Sequence, residues 1–198
     1  MQTQLLHSQV PGENHMSTTE TTIPTGTWAI DAVHSSVGFE VKHLGVSTFR
    51  GSFKDVTGSI ETADGAVTAV EGTIDTASIH TIDGALSGHL QTPDFFDTAN
   101  HPQGTFRSTA VEDLGDGKLR VRGELQLRGV TRPVEIDAHI SGAGADPYGN
   151  ERLGLSGSAV IDRTEFGISW NAPLPNGGLT VGEKVRLVLD VEAVKAAS

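Results

Sequence analysis

The stretch Leu119-Arg-Val-Arg-Gly-Glu-Leu-Gln-Leu-Arg128 places apolar or small residues at 119, 121, 123, 125 and 127, with a charged or polar residue between each pair. Successive side chains on a strand point to opposite faces, whereas a helix gathers residues three and four apart. A strict period of two is therefore a strand with one dry and one wet face. The same alternation extends outward in both directions. Downstream, Val134, Ile136, Ala138 and Ile140 alternate with Glu135, Asp137 and His139. Leu153, Leu155, Gly157, Ala159 and Ile161 form another face, and Val185, Leu187, Leu189 and Val191 a further one. Upstream lie Val37, Phe39, Val41 and His43, then Phe49, Gly51 and Phe53. The parity then flips to Val56, Gly58 and Ile60, which predicts a bulge near Asp55. Val70, Gly72 and Ile74, and a run over 104–111 containing Phe106, complete about eight strands. Hairpin-turn sequences separate them: Ala63-Asp-Gly65, Gly115-Asp-Gly117 and Pro147-Tyr-Gly-Asn150.

One-sided alternation predicts antiparallel sheet. About eight such strands in succession close into a barrel, whose interior is either filled by side chains or holds one small ligand. The expected fold is all-β: a single eight-stranded antiparallel lipocalin-like barrel over 26–196, with a short helix and a long mouth loop. Residues 1–25, polar and rich in Thr, Ser and Gln, read as a disordered tail. Two segments break the pattern. Within 83–97, Leu86 and Leu90 are four apart and Pro93 follows, which predicts a short helix ending before the proline, with Phe95 and Phe96 capping the barrel. Residues 163–182 form a connection too long for an ordinary turn. Because it carries Phe166, Ile168 and Trp170, it reads as a lid or mouth loop.

The net charge of −11 argues against nucleic acid and against anionic bilayers as partners. Without cysteine there is no disulfide, thiolate metal site or thiol nucleophile. No run approaches a membrane span, and no basic, apolar leader precedes Lys42, so the chain is expected in the cytoplasm. His34, His43, His80, His89, His101 and His139 show no metal-ligand spacing, and His139 shares the wet face of Glu135 and Asp137. No nucleophile elbow or phosphate loop is present. Asp31 and His34 read as a structural pair rather than a dyad. Gly26-Thr27-Trp28 fits the start of a first barrel strand, with Trp28 plugging the barrel floor. No catalytic residue, metal site or cofactor is expected.

Several segments in order resemble the YceI family of polyisoprenoid-binding, lipocalin-like proteins. They are Trp28–Phe39 (WAIDAVHSSVGF), Val41–Leu44, Phe49–Phe53, Leu90–Asp97 (LQTPDFFD), His101-Pro with Phe106, Gly123–Val134 (GELQLRGVTRPV) and Ile161–Ile168 (IDRTEFGI). The resemblance implies a barrel that sequesters or carries a long apolar molecule, such as an isoprenoid quinone or prenyl phosphate, without catalysis; homodimers occur among such proteins. Many relatives are exported, and the missing leader departs from them.

With that ligand in view, Phe39, Val41, Phe49, Phe53, Phe106, Leu125 and Leu127 are the expected tunnel residues. Phe95, Phe96, Phe166, Ile168 and Trp170 are the expected wall or lid. His34, His43, Arg163 and Asn171 are the polar mouth candidates, with Arg163 placed to meet an anionic head. Inward small residues (Gly51, Gly72, Gly123, Gly157, Ala159) tilt the interior toward hollow. Two other functions stay open: a broad scavenger of hydrophobic compounds, and an enzyme on a small apolar substrate with Asp31, His34 and Arg163 as its cluster.

Overall fold

A computed structural model describes residues 23–175 and 177–196. The described residues form eleven strands in one sheet: β1 (Gly26–Ile30), β2 (Ser36–His43), β3 (Ser47–Phe53), β4 (Val56–Ala63), β5 (Ala66–Asp75), β6 (Ile79–His80), β7 (Gln103–Gly115), β8 (Lys118–Leu127), β9 (Val130–Ala145), β10 (Glu151–Asp162) and β11 (Val181–Lys195). Among the described residues a single α-helix, α1 (Gly84–Gln91), follows β6.

Eleven strands reduce to eight staves because the first six join in pairs. β2 and β1 lie along consecutive stretches of the same edge of β11, Ser36 opposite Asp190 and Ile30 opposite Ala193. β3 pairs with β2 while β4 pairs with β1. β6 and β5 flank β3 and β4 in turn. The pairing then runs β5–β7–β8–β9–β10–β11, and β11 returns to β1 through Trp28 opposite Lys195. The result is a closed up-and-down antiparallel barrel of eight staves, with no free edge along the closed circuit.

The breaks have local causes. Between β3 and β4 the strand is interrupted at Lys54–Asp55 rather than bulged. Both of those backbone N–H groups donate to Ser78 Oγ, each at 3.1 Å, and the parity flips across the gap. The hairpins turn on two-residue loops in the left-handed region, Asp64-Gly65 and Arg128-Gly129, whose twist matches that of the flanking strands. α1 begins at Asp83, whose carboxylate accepts from Leu86 N at 2.8 Å, and it stops at Thr92 before Pro93.

Trp28 closes the floor. It has no exposed surface, its Nε1 donates to Thr62 Oγ1 at 2.8 Å, and it packs in a cluster with Ile60, Leu119, Leu153 and Ala193. Ile23 joins this floor cluster and bridges to Gly65. Residues 23–25 are thus part of the barrel rather than of the expected tail, because a large apolar side chain stands there to be buried. The remainder of that tail, 1–22, lies outside the described residues.

Candidate functional site

Above the floor the barrel is hollow. A cavity of about 390 Å³ runs up its axis with an almost wholly apolar wall. Its lower part is bounded by Ile136, Leu189 and Val191. Its upper part is walled by aromatics that the strand parity turns inward. Phe39 stands 6.2 Å from Phe49 and 6.1 Å from Phe53, and Phe96 meets Phe53 edge-on at 5.4 Å. Val41, Phe106, Leu125 and Leu127 complete the expected tunnel set, so every one of those residues faces the cavity.

The cap is built from two segments tied together. Phe95 and Trp170 lie 5.3 Å apart, and the His89 ring meets both edge-on, at 5.1 and 5.4 Å. Arg128, in the β8–β9 turn, joins the segments: its Nη1 donates to the carbonyls of Phe95 (2.9 Å) and Gly167 (2.8 Å). Phe166 and Ile168, on the 163–180 segment, are buried beneath it. All five expected lid residues, Phe95, Phe96, Phe166, Ile168 and Trp170, line the cavity. The connection is less irregular than its length suggests. Arg163–Phe166 is a 3-10 turn, with Gly167 in the left-handed conformation as its end.

The four polar mouth candidates part company. His43 lines the cavity at the end of β2, opposite Val181. Arg163 also lines it, 5 % exposed, but donates from Nε to Gly182 O (2.8 Å), from Nη1 to Ile168 O (2.6 Å) and Trp170 O (3.0 Å), and from Nη2 to Val181 O (3.1 Å). It is the clasp that folds the loop back on β11. Asn171 does not reach the cavity wall. Its amide donates to Val181 O (2.6 Å) and accepts from Val181 N (3.1 Å), so it is a second clamp rather than a mouth group.

His34 is placed elsewhere altogether. It sits on the link between β1 and β2, where its Nδ1 contacts Asp31 Oδ2 at 2.9 Å. Arg152 Nη1 reaches Asp31 (2.7 Å) and Glu192 (2.5 Å), and its Nε reaches Asp146 (3.1 Å). The hydrogen bond to Asp31 raises the pKa of His34, and the His34 and Arg152 bonds hold Asp31 well below the usual carboxylate range. Asp31, His34 and Glu192 thus converge, which their sequence spacing did not signal, but the Arg152 guanidinium already bridges the two carboxylates. Arg163 is committed to the loop carbonyls, so Asp31, His34 and Arg163 do not form the cluster that the enzyme alternative needs.

Sequence reading missed His89, Lys42 and Thr180 in the wall. His89 lies on the expected short helix, and its aim into the wall comes from tertiary packing, where its ring meets Phe95 and Trp170. Of the inward glycines, Gly51 and Gly123 are not hollow. An added Cβ would lie 2.5 Å from the rings of Phe39 and Phe106 respectively, so these glycines are shelves for aromatic side chains. Only Gly72, which also lines the cavity, faces open space.

A closed antiparallel barrel with a plugged floor, one apolar cavity and an aromatic cap defines the class of small β-barrels built around an internal ligand cavity. Within that class the chain belongs to the YceI-like domain family, whose model matches residues 28–193. It is 38% identical over 154 residues to a UPF0312 protein of Vibrio parahaemolyticus, covering 74% of this chain and 82% of that protein. Among solved structures it resembles a YceI protein of Campylobacter jejuni, at 28% identity and TM-score 0.67, covering 79% of this chain and 90% of that one. It also shares its fold with a polyisoprenoid binding domain from Saccharophagus degradans, at 16% identity and TM-score 0.65, covering 87% of this chain and all of that one. Among the described residues no helix is long and apolar enough to cross a membrane.

Proposed function

We propose that this protein binds an isoprenoid-type lipid or similar amphiphile in the barrel, to sequester or carry it, and does no chemistry on it. The observation that carries this reading is the axial cavity of about 390 Å³, walled by Phe39, Phe53, Phe106, Leu125 and Leu127 and capped by Phe95 and Trp170. An empty apolar cavity costs the contacts its lining would make elsewhere, and an apolar chain entering it recovers them together with roughly 0.8 kcal/mol per CH₂ removed from water. The named Saccharophagus domain, described as polyisoprenoid binding, supports the ligand class through the shared fold.

Uptake of the neutral fluorophore N-phenyl-1-naphthylamine, followed by its displacement with farnesol, tests this. Saturable uptake reversed by farnesol is expected, and a chain that takes up neither is not a lipid-binding barrel. The scavenger alternative predicts equal displacement by polycyclic and linear hydrophobes; a narrow axial cavity predicts preference for linear ones.

A further inference from the structure

The chain makes two turns just beyond the cavity rim formed by Lys42, His43, Thr180 and Val181. One joins β2 to β3, where Val46 N donates to His43 O at 3.1 Å across Leu44-Gly45. The other lies before β11 and is folded on itself by a bridge between Pro173 and Leu179. Leu44 N donates to Thr180 O at 2.8 Å, so the two turns form one tip beside the cavity opening. On that tip Val46 is 83 % exposed, Leu179 43 % and Leu44 41 %, and Pro173 is exposed with them.

Two observations distinguish the tip from ordinary surface. The first is the residue chosen for its turn. Leu44 has a φ of 55° and Gly45 one of 72°, and a turn with both central residues left-handed favours Asn, Asp or Gly at the first. Among the described residues, the other pairs of a left-handed non-glycine residue and a left-handed glycine are Asp64-Gly65, Asp116-Gly117 and Arg128-Gly129, all polar at the first position. At this turn alone of the four a leucine stands there, and the fold does not bury it. The second observation is charge. The chain holds 25 acidic residues, yet the segments 41–53 and 166–182 contain none, and their only charged side chains are Lys42 and Arg50. Glu40, just outside the first segment, is paired with Arg50 at 2.8 Å. Acids return on the α1 side of the mouth, where Asp94 lies 3.3 Å from His89.

We propose that this tip docks on a zwitterionic lipid bilayer, with Leu44, Val46 and Leu179 entering the headgroup boundary and the cavity opening brought against the membrane. This rests on the reading that the cavity binds a lipid, and it adds where that lipid enters and leaves. Apolar side chains gain by leaving water at the boundary, and a carboxylate among them would lose hydration there. Lys42, exposed at the base of the tip, can reach the phosphate level along its apolar stem. The net charge of −11 opposes approach to an anionic bilayer, so phosphatidylcholine is the fitting surface.

The chain has no cysteine, so one introduced thiol carries one label. An environment-sensitive nitrobenzoxadiazole label on Val46→Cys is compared with the same label on Tyr148→Cys. Tyr148 is 89 % exposed in the β9–β10 turn, at the floor end. Adding phosphatidylcholine vesicles to the full chain should shift the emission of the label at 46 to the blue and raise it at least twofold, with the label at 148 unchanged. Adding Leu179→Asp to the protein labelled at 46 should raise the vesicle concentration for half the response at least tenfold. Leu179 is outside the cavity lining, so uptake of N-phenyl-1-naphthylamine without vesicles should stay as in the parent. An equal response at 148, or a response at 46 that ignores Leu179→Asp, overturns the docking tip. Silence at both labels, from protein that still takes up the dye, overturns the docking and leaves the lipid cavity standing. A response confined to 46, from protein that refuses the dye, supports the tip and overturns the lipid cavity.

Discussion

Gly51, Gly123 and Gly72 occupy inward positions on three strands, and a reading by side-chain size treats them alike. The structure separates them: the first two lie under the rings of Phe39 and Phe106, and only the third opens onto the cavity. That difference makes Gly72 the cleanest place to fill the interior. Gly72→Phe adds a ring at a cavity-lining position where a Cβ would meet nothing within 4 Å, on a strand whose intrinsic preference favours an aromatic. The expected outcome is a dye-binding capacity reduced at least severalfold with an unchanged or higher melting temperature; full capacity would mean that ligands bind elsewhere. At the same scale, Arg163 and Asn171 show why mouth residues were hard to read. Both types suit a polar head in sequence, and only the positions of the 168–182 carbonyls reveal that their donors are spent on the loop.

The elements that frame the site are the 163–180 segment, α1 and the interrupted first stave. Trp170 packs on Phe95 and His89 while keeping part of its surface exposed, so it belongs to the cap more than to the core. Trp170→Ala is expected to cost about 1–2 kcal/mol, less than the roughly 3–5 kcal/mol of a fully buried tryptophan, and to speed ligand release measured by stopped-flow dilution. A larger loss of stability with unchanged release would move it into the core. The link between β1 and β2 is held by Arg152, which gathers Asp31, Asp146 and Glu192. Asn150 and backbone N–H groups, with Arg152, hold Asp146 down at about 2, against an ordinary value of 3.8. A lowered carboxylate stabilises the fold above its unfolded pKa and loses that contribution as the pH falls through the folded value. His34 acts with the opposite sign: raised by Asp31, it contributes fully below its ordinary 6.5 and loses that contribution as the pH climbs through its folded value. Thermal melts should therefore decline from about pH 4 toward pH 2. In Arg152→Met the melting temperature at neutral pH should fall, and the acid decline should be smaller and level off at a higher pH, because Asp31 and Asp146 lose a partner that lowers them. Parallel curves for the two proteins would remove Arg152 from this role.

At the scale of the whole molecule, the closed barrel was legible because one face of each strand is dry, and a two-residue period survives any tertiary context. The number of strands was legible only as staves. Sequence shows the parity flip at Asp55, but whether the chain bulges or breaks there depends on Ser78, which is distant in sequence and adjacent in space. The tunnel aromatics were legible for the same reason as the strands. His89 and the Asp31–His34–Glu192 convergence were not, since both are created by packing between elements that no local pattern relates. What the barrel encloses is the central claim. Native mass spectrometry of the freshly purified full chain tests it most directly, with organic extraction of the same sample. The account predicts a population heavier than the bare polypeptide by the mass of one amphiphile, lost on extraction and recovered as a lipid in the organic phase. A single peak at the polypeptide mass, from protein that also refuses added dodecanoate and farnesol, would contradict it.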